Sequence, residues 1–505
     1  MANHHCSNMG AIKSLAKDTA VYGLSSIIGR FLNWCLVPLY TIKFVAAEYG
    51  VVTYVYSIVA LALIILTYGM ETGFFRFANH ERYKNPMEVY STALISLAAS
   101  STIFMILVLA FLPQVTEAMQ CGDHTEYAWM MALAVAIDAF TCLPFSYLRY
   151  KHRPLRFATV KLINIAVNIG LNLFFILLCP WLMIQAPEWV SWCYNPDFGI
   201  GYIFAANLVS SALTLLMLTP QLRGFRWVFN SALWREMLTY SMPLLVLGVA
   251  GIMNQTVDKI LLPWLVPDHS EALAQLGIYG ANYKIAIVMV MFIQAFRFAY
   301  EPFIFAQNKQ KGADKLQAFR DAMTYFVIFS MVIFLGVMFY LPLLRYFISP
   351  HYFSGLKVVP VIMIAEFFFG VFFNLSLWYK LTDRTYWGMI FSLGGLAITL
   401  SLNILLVPTM GYMGCAWAAL ACYGTMMVAS WIVGKICHPI GYNIRRLGIF
   451  FFTALALWGA GSLISTGSHW LDMTLRTPLL IAYIWFVLKL QNISIKSLIP
   501  HRLQS

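Results

Sequence analysis

Seven ionisable side chains stand inside stretches that are otherwise apolar: Arg30, Asp138, Asp258, Lys259, Lys284, Arg297 and Glu366. A charge held in hydrocarbon costs at least about 2.5 kcal/mol, so each needs a partner or a wet cavity. The cations carry a definite chemistry. An Arg fork grips two phosphate oxygens at once, and a Lys adds a point charge. Cations at several depths can hand an anionic head group across a bilayer. Arg297 follows Lys284 by thirteen residues, which puts it about 20 Å deeper in a helix. For Asp258 two uses stay open. It can tune these cations, or it can form a structural ion pair, for example with Lys284 or Arg30. Asp138 and Glu366 can carry protons or a coupling cation, or can simply hydrogen-bond a neighbouring helix. Lys161 and Glu71 lie close enough to one face to snorkel. The candidate substrate-binding set is Arg30, Asn33, Lys259, Tyr283, Lys284 and Arg297, with Asp258, Asp138 and Glu366 as coupling or charge-tuning groups. Tyr54, Tyr56, Tyr68, Tyr279, Tyr283 and Tyr300 can stack on sugar faces, or can serve as packing and interfacial rings.

The elements that must hold these groups follow from composition. Of 505 residues, 61% are hydrophobic and 11% charged. A soluble globule carries about 25% charged residues. The chain is therefore expected to be an all-α polytopic membrane protein. Fourteen apolar runs are long enough to span: 19–44, 50–73, 88–113, 127–148, 157–180, 200–220, 237–264, 276–304, 321–345, 357–379, 386–408, 412–434, 447–467 and 474–491. Pro113, Pro180, Pro220 and Pro408 sit near run ends, where a proline stops a helix at little cost.

Charge orients the runs. With both termini cytoplasmic, 24 of the 33 Lys and Arg residues fall in inside segments and four in outside ones. That bias is the positive-inside rule at work, and it accounts for the net charge of +12 without nucleic acid. Acidic residues such as Glu117, Asp123, Glu188 and Asp268 fall outside instead. Met1–Asp18 is polar and the first apolar run is too long for a signal-peptide core. Either Met1 or Met9 can start the chain. His4-His5-Cys6 is a weak metal cluster at most. Cys121 and Cys193 both fall in outside loops and can pair there; the other cysteines do not form a framework.

Two halves share a pattern. Tyr147-Leu-Arg-Tyr-Lys151 precedes a run containing Asn172-Leu-Phe, and Leu377-Trp-Tyr-Lys380 precedes a run containing Asn403-Ile-Leu. Tyr49-Gly50 likewise matches Leu276-Gly277. An even number of spans separates equivalent points, so the halves form a parallel repeat of the kind transporters rock about a central site. The expected organisation is a six-helix bundle over 1–220, a cytoplasmic linker at 221–236, a second six-helix bundle over 237–436, and two further spans with a tail over 437–505.

These segments also resemble a family. Tyr22-Gly-Leu-Ser-Ser, Arg30-Phe-Leu-Asn33, Val37-Pro-Leu-Tyr40, Glu48-Tyr-Gly50 and Tyr68-Gly-Met-Glu-Thr-Gly-Phe-Phe-Arg76 are similar in order and spacing to Wzx-type polysaccharide flippases. So are Ile278-Tyr-Gly-Ala-Asn-Tyr-Lys284, Trp378-Tyr-Lys-Leu-Thr-Asp383 and Gly411-Tyr-Met-Gly-Cys-Ala-Trp-Ala-Ala419. These flippases belong to the multidrug/oligosaccharidyl-lipid/polysaccharide (MOP) exporter superfamily. The resemblance implies about fourteen helices in two pseudo-symmetric bundles, a MATE-like fold, around a V-shaped central cavity. It implies translocation of an undecaprenyl-diphosphate-linked oligosaccharide between leaflets of a bacterial inner membrane by alternating access. It implies polysaccharide polymerase and chain-length proteins as partners, and Na+ or H+ as a coupling ion. Cavity cations of related lipid II flippases contact the diphosphate; Arg30 lies on the matching first helix and Lys259 on the matching seventh. The rival reading is a cation-coupled drug antiporter of the MATE type, which calls for an acidic cavity. An enzyme is not expected: HExxH, P-loop and DxD signatures are missing, as is a large outside loop.

Overall fold

The computed structural model describes residues 23–491 apart from 26, 81, 84, 224–226, 308–312 and 383. Among the described residues the chain is helical, without strands, and thirteen helices are long and apolar enough to cross a membrane. They fall on the second to fourteenth expected spans. The first expected span lies partly outside the described residues. Its described part is helical at 27–34 and again in α1, Val37–Lys43. The His4-His5-Cys6 cluster lies outside the described residues.

The other helices are α2 Ala46–Thr67, α3 Met70–Ala78, α4 Pro86–Ala110, α5 Leu112–Ala118, α6 Thr125–Tyr150 and α7 Pro154–Leu173. Then come α8 Cys179–Gln185, α9 Gly201–Leu218, α10 Ser231–Leu265, α11 His269–Gln307 and α12 Ala313–Phe339. Last are α13 Val358–Leu375, α14 Leu377–Leu381, α15 Tyr386–Met410, α16 Tyr412–Cys437, α17 Ile444–Ser462 and α18 His469–Leu490. Asparagine caps start several of them. Asn85, Asn230 and Asn443 accept from Met87, Leu233 and Arg446 backbone N–H groups at 3.2, 3.0 and 3.1 Å. Each such cap is worth about 1 kcal/mol.

Two compact units form: residues up to Gly280 with Gly388–Ala418, and Ala281–Trp387 with residues from Ala419. In the first unit α6 is the central helix, and in the second it is α13. Both are 67% buried along their most apolar window, more than any other span. They are the fourth and tenth expected spans, which the repeat makes equivalent.

The second apolar run is not one straight helix. It breaks at Tyr68 and Gly69, both left-handed with φ of 30° and 72°. The cause is α10. A Cβ on Gly69 would lie 3.2 Å from the Ser241 carbonyl oxygen, and one on Gly73 would lie 2.9 Å from the Ser241 hydroxyl. The two glycines of Gly69-Met-Glu-Thr-Gly73 thus let α3 press against α10. Below the break, Glu71 is ion-paired with Arg149, Arg82 with Glu236 at 3.5 Å, and Arg76 lies 4.1 Å over the Tyr240 ring.

A closer crossing joins α2 to the start of α11. A Cβ on Gly50 would sit 1.9 Å from the Leu273 carbonyl oxygen, and one on Gly277 would sit 1.9 Å from the Ala46 carbonyl oxygen. Gly50 and Gly277 are 227 residues apart, and so are Ala46 and Leu273. The crossing is therefore reciprocal, as a twofold repeat requires. Glu48 of the same motif caps α2, accepting from the Val45 N–H at 3.1 Å. Asn172 and Asn403 behave alike too: each is buried and donates 2.8 Å to the carbonyl four residues back.

Candidate functional site

Arg30 and Asn33 occupy the helical stretch 27–34. Gly29 turns toward α7, where Ile165 fills the space a Cβ would take. The next residue points away, and both Arg30 and Asn33 are exposed. Three residues apart, they share one helix face. Phe31 and Trp34 stack beside them at 5.8 Å.

Asp258 and Lys259 lie on α10 and are both buried. Their arrangement differs from both expected pairings of Asp258. The Lys259 ammonium turns back on its own neighbour, 3.1 and 3.2 Å from the Asp258 carboxylate oxygens, and donates to the Gln255 carbonyl at 2.9 Å. Tyr279 of α11 donates to the same carboxylate at 2.7 Å, and its ring lies 5.5 Å from the ammonium. The Cys415 thiol reaches the Asp258 carbonyl at 3.7 Å. A pair this enclosed costs desolvation and is held by its hydrogen bonds.

In the second unit Tyr283 is half-buried and donates to buried Glu366 at 2.6 Å. Lys284, next in the chain, is half-buried. Arg297 is exposed and lies 4.4 Å over the Phe373 ring; Lys380 of α14 lies 4.6 Å over the same ring. Each cation is attracted by the ring's π-system. Lys380 is not among the candidate binding residues that the sequence offers. Its place in the Leu377-Trp-Tyr-Lys380 motif, seven residues after Phe373, was the available signal.

Asp138 sits within the first unit against the Ser211 hydroxyl and the charge of Lys161. Lys161 itself lies 4.3 Å over the Phe145 ring. Five of the six candidate sugar-stacking tyrosines end in protein hydrogen bonds. Tyr54 donates to Ala118 and accepts from Trp264, Tyr56 accepts from Asn207, and Tyr68 meets Ser96. Tyr279 and Tyr283 have the carboxylates described above. Tyr300 is buried against Phe296. These rings serve helix contacts first.

The second unit also carries a continuous slot. Its larger part is an apolar groove of about 910 Å³ lined by α12, α13, α16 and α17, including Phe367, Phe368, Met427 and Phe451. A second cavity of about 680 Å³ continues it, sharing Leu375, Trp431, Tyr442 and Ile444 and adding Lys435 and His438. The Trp378 indole N–H, buried and without a hydrogen-bond partner, belongs to a residue lining this polar end. Among the described residues no group of three or more His, Cys, Asp or Glu side chains could hold a metal ion.

Long apolar helices that bury Asp258, Lys259 and Glu366 define a multi-pass membrane protein. Residues 15–307, more than half of the chain, match the family described as polysaccharide biosynthesis protein, and the chain belongs to that family. Solved structures share the fold at low identity. A lipid II flippase MurJ in an inward closed conformation is similar with a TM-score of 0.71 at 13% identity, over 93% of this chain and 98% of that one. An inward-facing multidrug resistance MATE family transporter of the MOP superfamily is similar with a TM-score of 0.63 at 11% identity, over 83% and 97%. A MATE in the straight conformation gives 0.57 at 12%, over 84% and 95%. A search of curated protein sequences gives no significant match.

Proposed function

We propose that this protein flips a polyprenyl-diphosphate-linked oligosaccharide from the cytoplasmic to the outer leaflet of a bacterial inner membrane. The product feeds a surface polysaccharide: O-antigen, capsule or exopolysaccharide. One observation carries the reading beyond family membership: the slot of the second unit is amphipathic. Its apolar lining suits an isoprenoid chain, and Lys435, His438 and Trp378 suit a phosphate at its polar end. The MATE likeness of the fold keeps cation-coupled drug export as the second reading.

In the proposed cycle the diphosphate-binding candidates are, within the first unit, Arg30 and Asn33, and, taken separately within the second, Lys284, Arg297 and Lys380. Tyr283 holds Glu366 by its hydrogen bond. The lipid tail stays in the bilayer and the groove. The cytoplasmic side then closes and the outer side opens, with both termini remaining cytoplasmic. Asp138, beside Lys161, and Glu366 are the carboxylates available to an H+ or Na+ that drives the cycle. A polymerase and a chain-length protein would take the sugar onward.

Two substitutions test this. Arg30→Ala should cut export of the polymer roughly 10- to 100-fold at unchanged protein level, the worth of one charge-assisted hydrogen bond. Arg30→Lys should retain part of it. Undiminished export by Arg30→Ala removes Arg30 from the path. Gly448 lines the apolar groove. Gly448→Trp should slow transport of a long-chain polyprenyl substrate while sparing an analogue with a short lipid. Equal effects on both would take the tail out of the groove.

A further inference from the structure

We propose that the outer end of the second unit holds an anionic phospholipid, with its phosphate between Arg345 and Arg476. A cavity of about 670 Å³ lies there, bounded by the ends of α12, α17 and α18. Met338, Phe339, Leu341 and Trp458 give it apolar walls. Among the described residues, Arg345 and Arg476 are its only charged lining. Arg345, Lys357 and Arg476 are three of the four Lys and Arg residues that fall in outside segments. The positive-inside rule thins out cations on that side. Those that remain here gather in one place: Lys357 is exposed and directly follows Leu356, another residue of the cavity wall.

The local fold builds the site. Phe339 ends α12, and Leu341–Leu344 and Arg345–Phe347 add two short helical turns beyond it. A Cβ on Gly461 of α17 would lie 2.6 Å from the Phe339 ring, so the missing side chain lets α17 close on α12. The Tyr340 and Thr477 hydroxyls meet at 2.8 Å and tie the end of α12 to α18. Arg476 donates to the Gly461 and Ile464 carbonyls at 2.9 and 2.7 Å. These carbonyls lie at the C-terminal end of α17, where a cation is favoured. That use accounts for Arg476 alone. Arg345 lies 5.3 and 5.2 Å from the Tyr346 and Phe353 rings, and its buried Nε–H has no hydrogen-bond partner among the described residues. Asp472, one turn before Arg476, turns one oxygen to the Thr466 N–H and hydroxyl, each at 2.7 Å.

A buried donor without an acceptor is costly, and two guanidinium groups on one apolar cavity repel. A single phosphate relieves both, because its oxygens accept from two arginine forks at once. The walls select what carries that phosphate. A soluble anion would leave Met338, Phe339, Leu341 and Trp458 wet. A phospholipid covers them with its glycerol backbone and the first part of an acyl chain. Tyr346, next to Arg345, and Trp470, at the start of α18, are 66% and 70% exposed. Such rings settle at the level of lipid head groups. The inference rests on the proposed reading only for the leaflet, which follows from both termini being cytoplasmic; it does not rest on the substrate.

The test is photo-crosslinking of the full-length protein in phosphatidylcholine nanodiscs that carry a photoreactive phosphatidylglycerol. Labelled peptides should contain Met338–Leu341 and Trp458, and phosphatidylcholine with the same photoreactive chain should label them far less. Arg345→Gln should lower the labelling roughly tenfold, the worth of one charge-assisted hydrogen bond. Arg345→Lys should keep part of it. Arg445→Gln, which removes an exposed cation at the opposite end of α17, should leave it unchanged. Equal labelling by the two lipids overturns the site, and this comparison needs no variant. Undiminished labelling of a folded Arg345→Gln overturns it as well. Displacement of the label by inorganic phosphate alone, or by a polyprenyl phosphate at equal concentration, gives the cavity to another anion and overturns the phospholipid. Polymer export by cells carrying Arg345→Gln reports separately on the flippase reading.

Discussion

Gly277→Ala should lower transport at least about tenfold and lower thermal stability, because its new Cβ has nowhere to go. It would lie 1.9 Å from the Ala46 carbonyl oxygen and 2.9 Å from the Gly50 nitrogen. Both are backbone atoms, so no rotamer change relieves the overlap and α2 and α11 must separate. Overpacking of a tight contact costs about 1–3 kcal/mol, and a backbone-to-backbone clash belongs at the upper end. Forcing the two helices apart would disturb the first unit, which carries Arg30 and Asn33 of the proposed path. Gly50→Ala, the repeat-equivalent change, should give the same result, since it meets Leu273 in the same way. The double variant should cost less than the sum, because one separation serves both clashes. Transport rate and melting temperature in detergent, measured on all three variants, check this. Wild-type values for either single variant contradict the crossing.

Asp258→Asn should destabilise the protein by about 3–5 kcal/mol, because it leaves a buried ammonium without its counter-charge. Lys259 is 9% exposed and Asp258 6%, so water cannot take over the lost contacts. Tyr279 loses a charged acceptor as well. Lys259→Met should cost a similar amount for the mirror reason. Replacing both, Asp258→Asn with Lys259→Met, should recover most of the stability, since a buried pair is often no better than neutral residues of its size. The double variant also separates two roles for Lys259. Stability and transport recovering together would make the pair structural. Stability recovering while transport stays lost would place Lys259 among the groups that meet the substrate. If Asp258→Asn leaves the melting temperature unchanged, the enclosed ion pair is not present in the protein.

Several features were legible in the sequence for physical reasons. Long apolar runs between charged turns leave little choice but spanning helices, and thirteen of them stand where expected. The match of Gly50 to Gly277 was visible as a weak repeat, and the reciprocal crossing gives it a cause. Glycines recur there because nothing larger fits. Other features depend on contacts that periodicity does not encode. The break at Tyr68–Gly69 answers to Ser241, far along the chain. Lys284 and Arg30 are the partners the sequence offers Asp258, yet its ion-pair partner is the adjacent Lys259. A side chain four carbons long can fold back on the residue before it, which helix spacing rules do not consider. Lys380 reads in the sequence as a motif end, and only the fold shows its side chain at the ring that Arg297 also covers.

The central claim is that lipid-linked sugar units cross the membrane through this protein. The most direct measurement uses cells lacking the protein and a membrane-impermeant glycan label that reads which leaflet the units occupy. The account predicts units accumulating on the cytoplasmic face, released to the outer face by the wild-type copy and not by Arg30→Ala. Units that reach the outer face normally without the protein would contradict it, and would move cation-coupled drug export to first place.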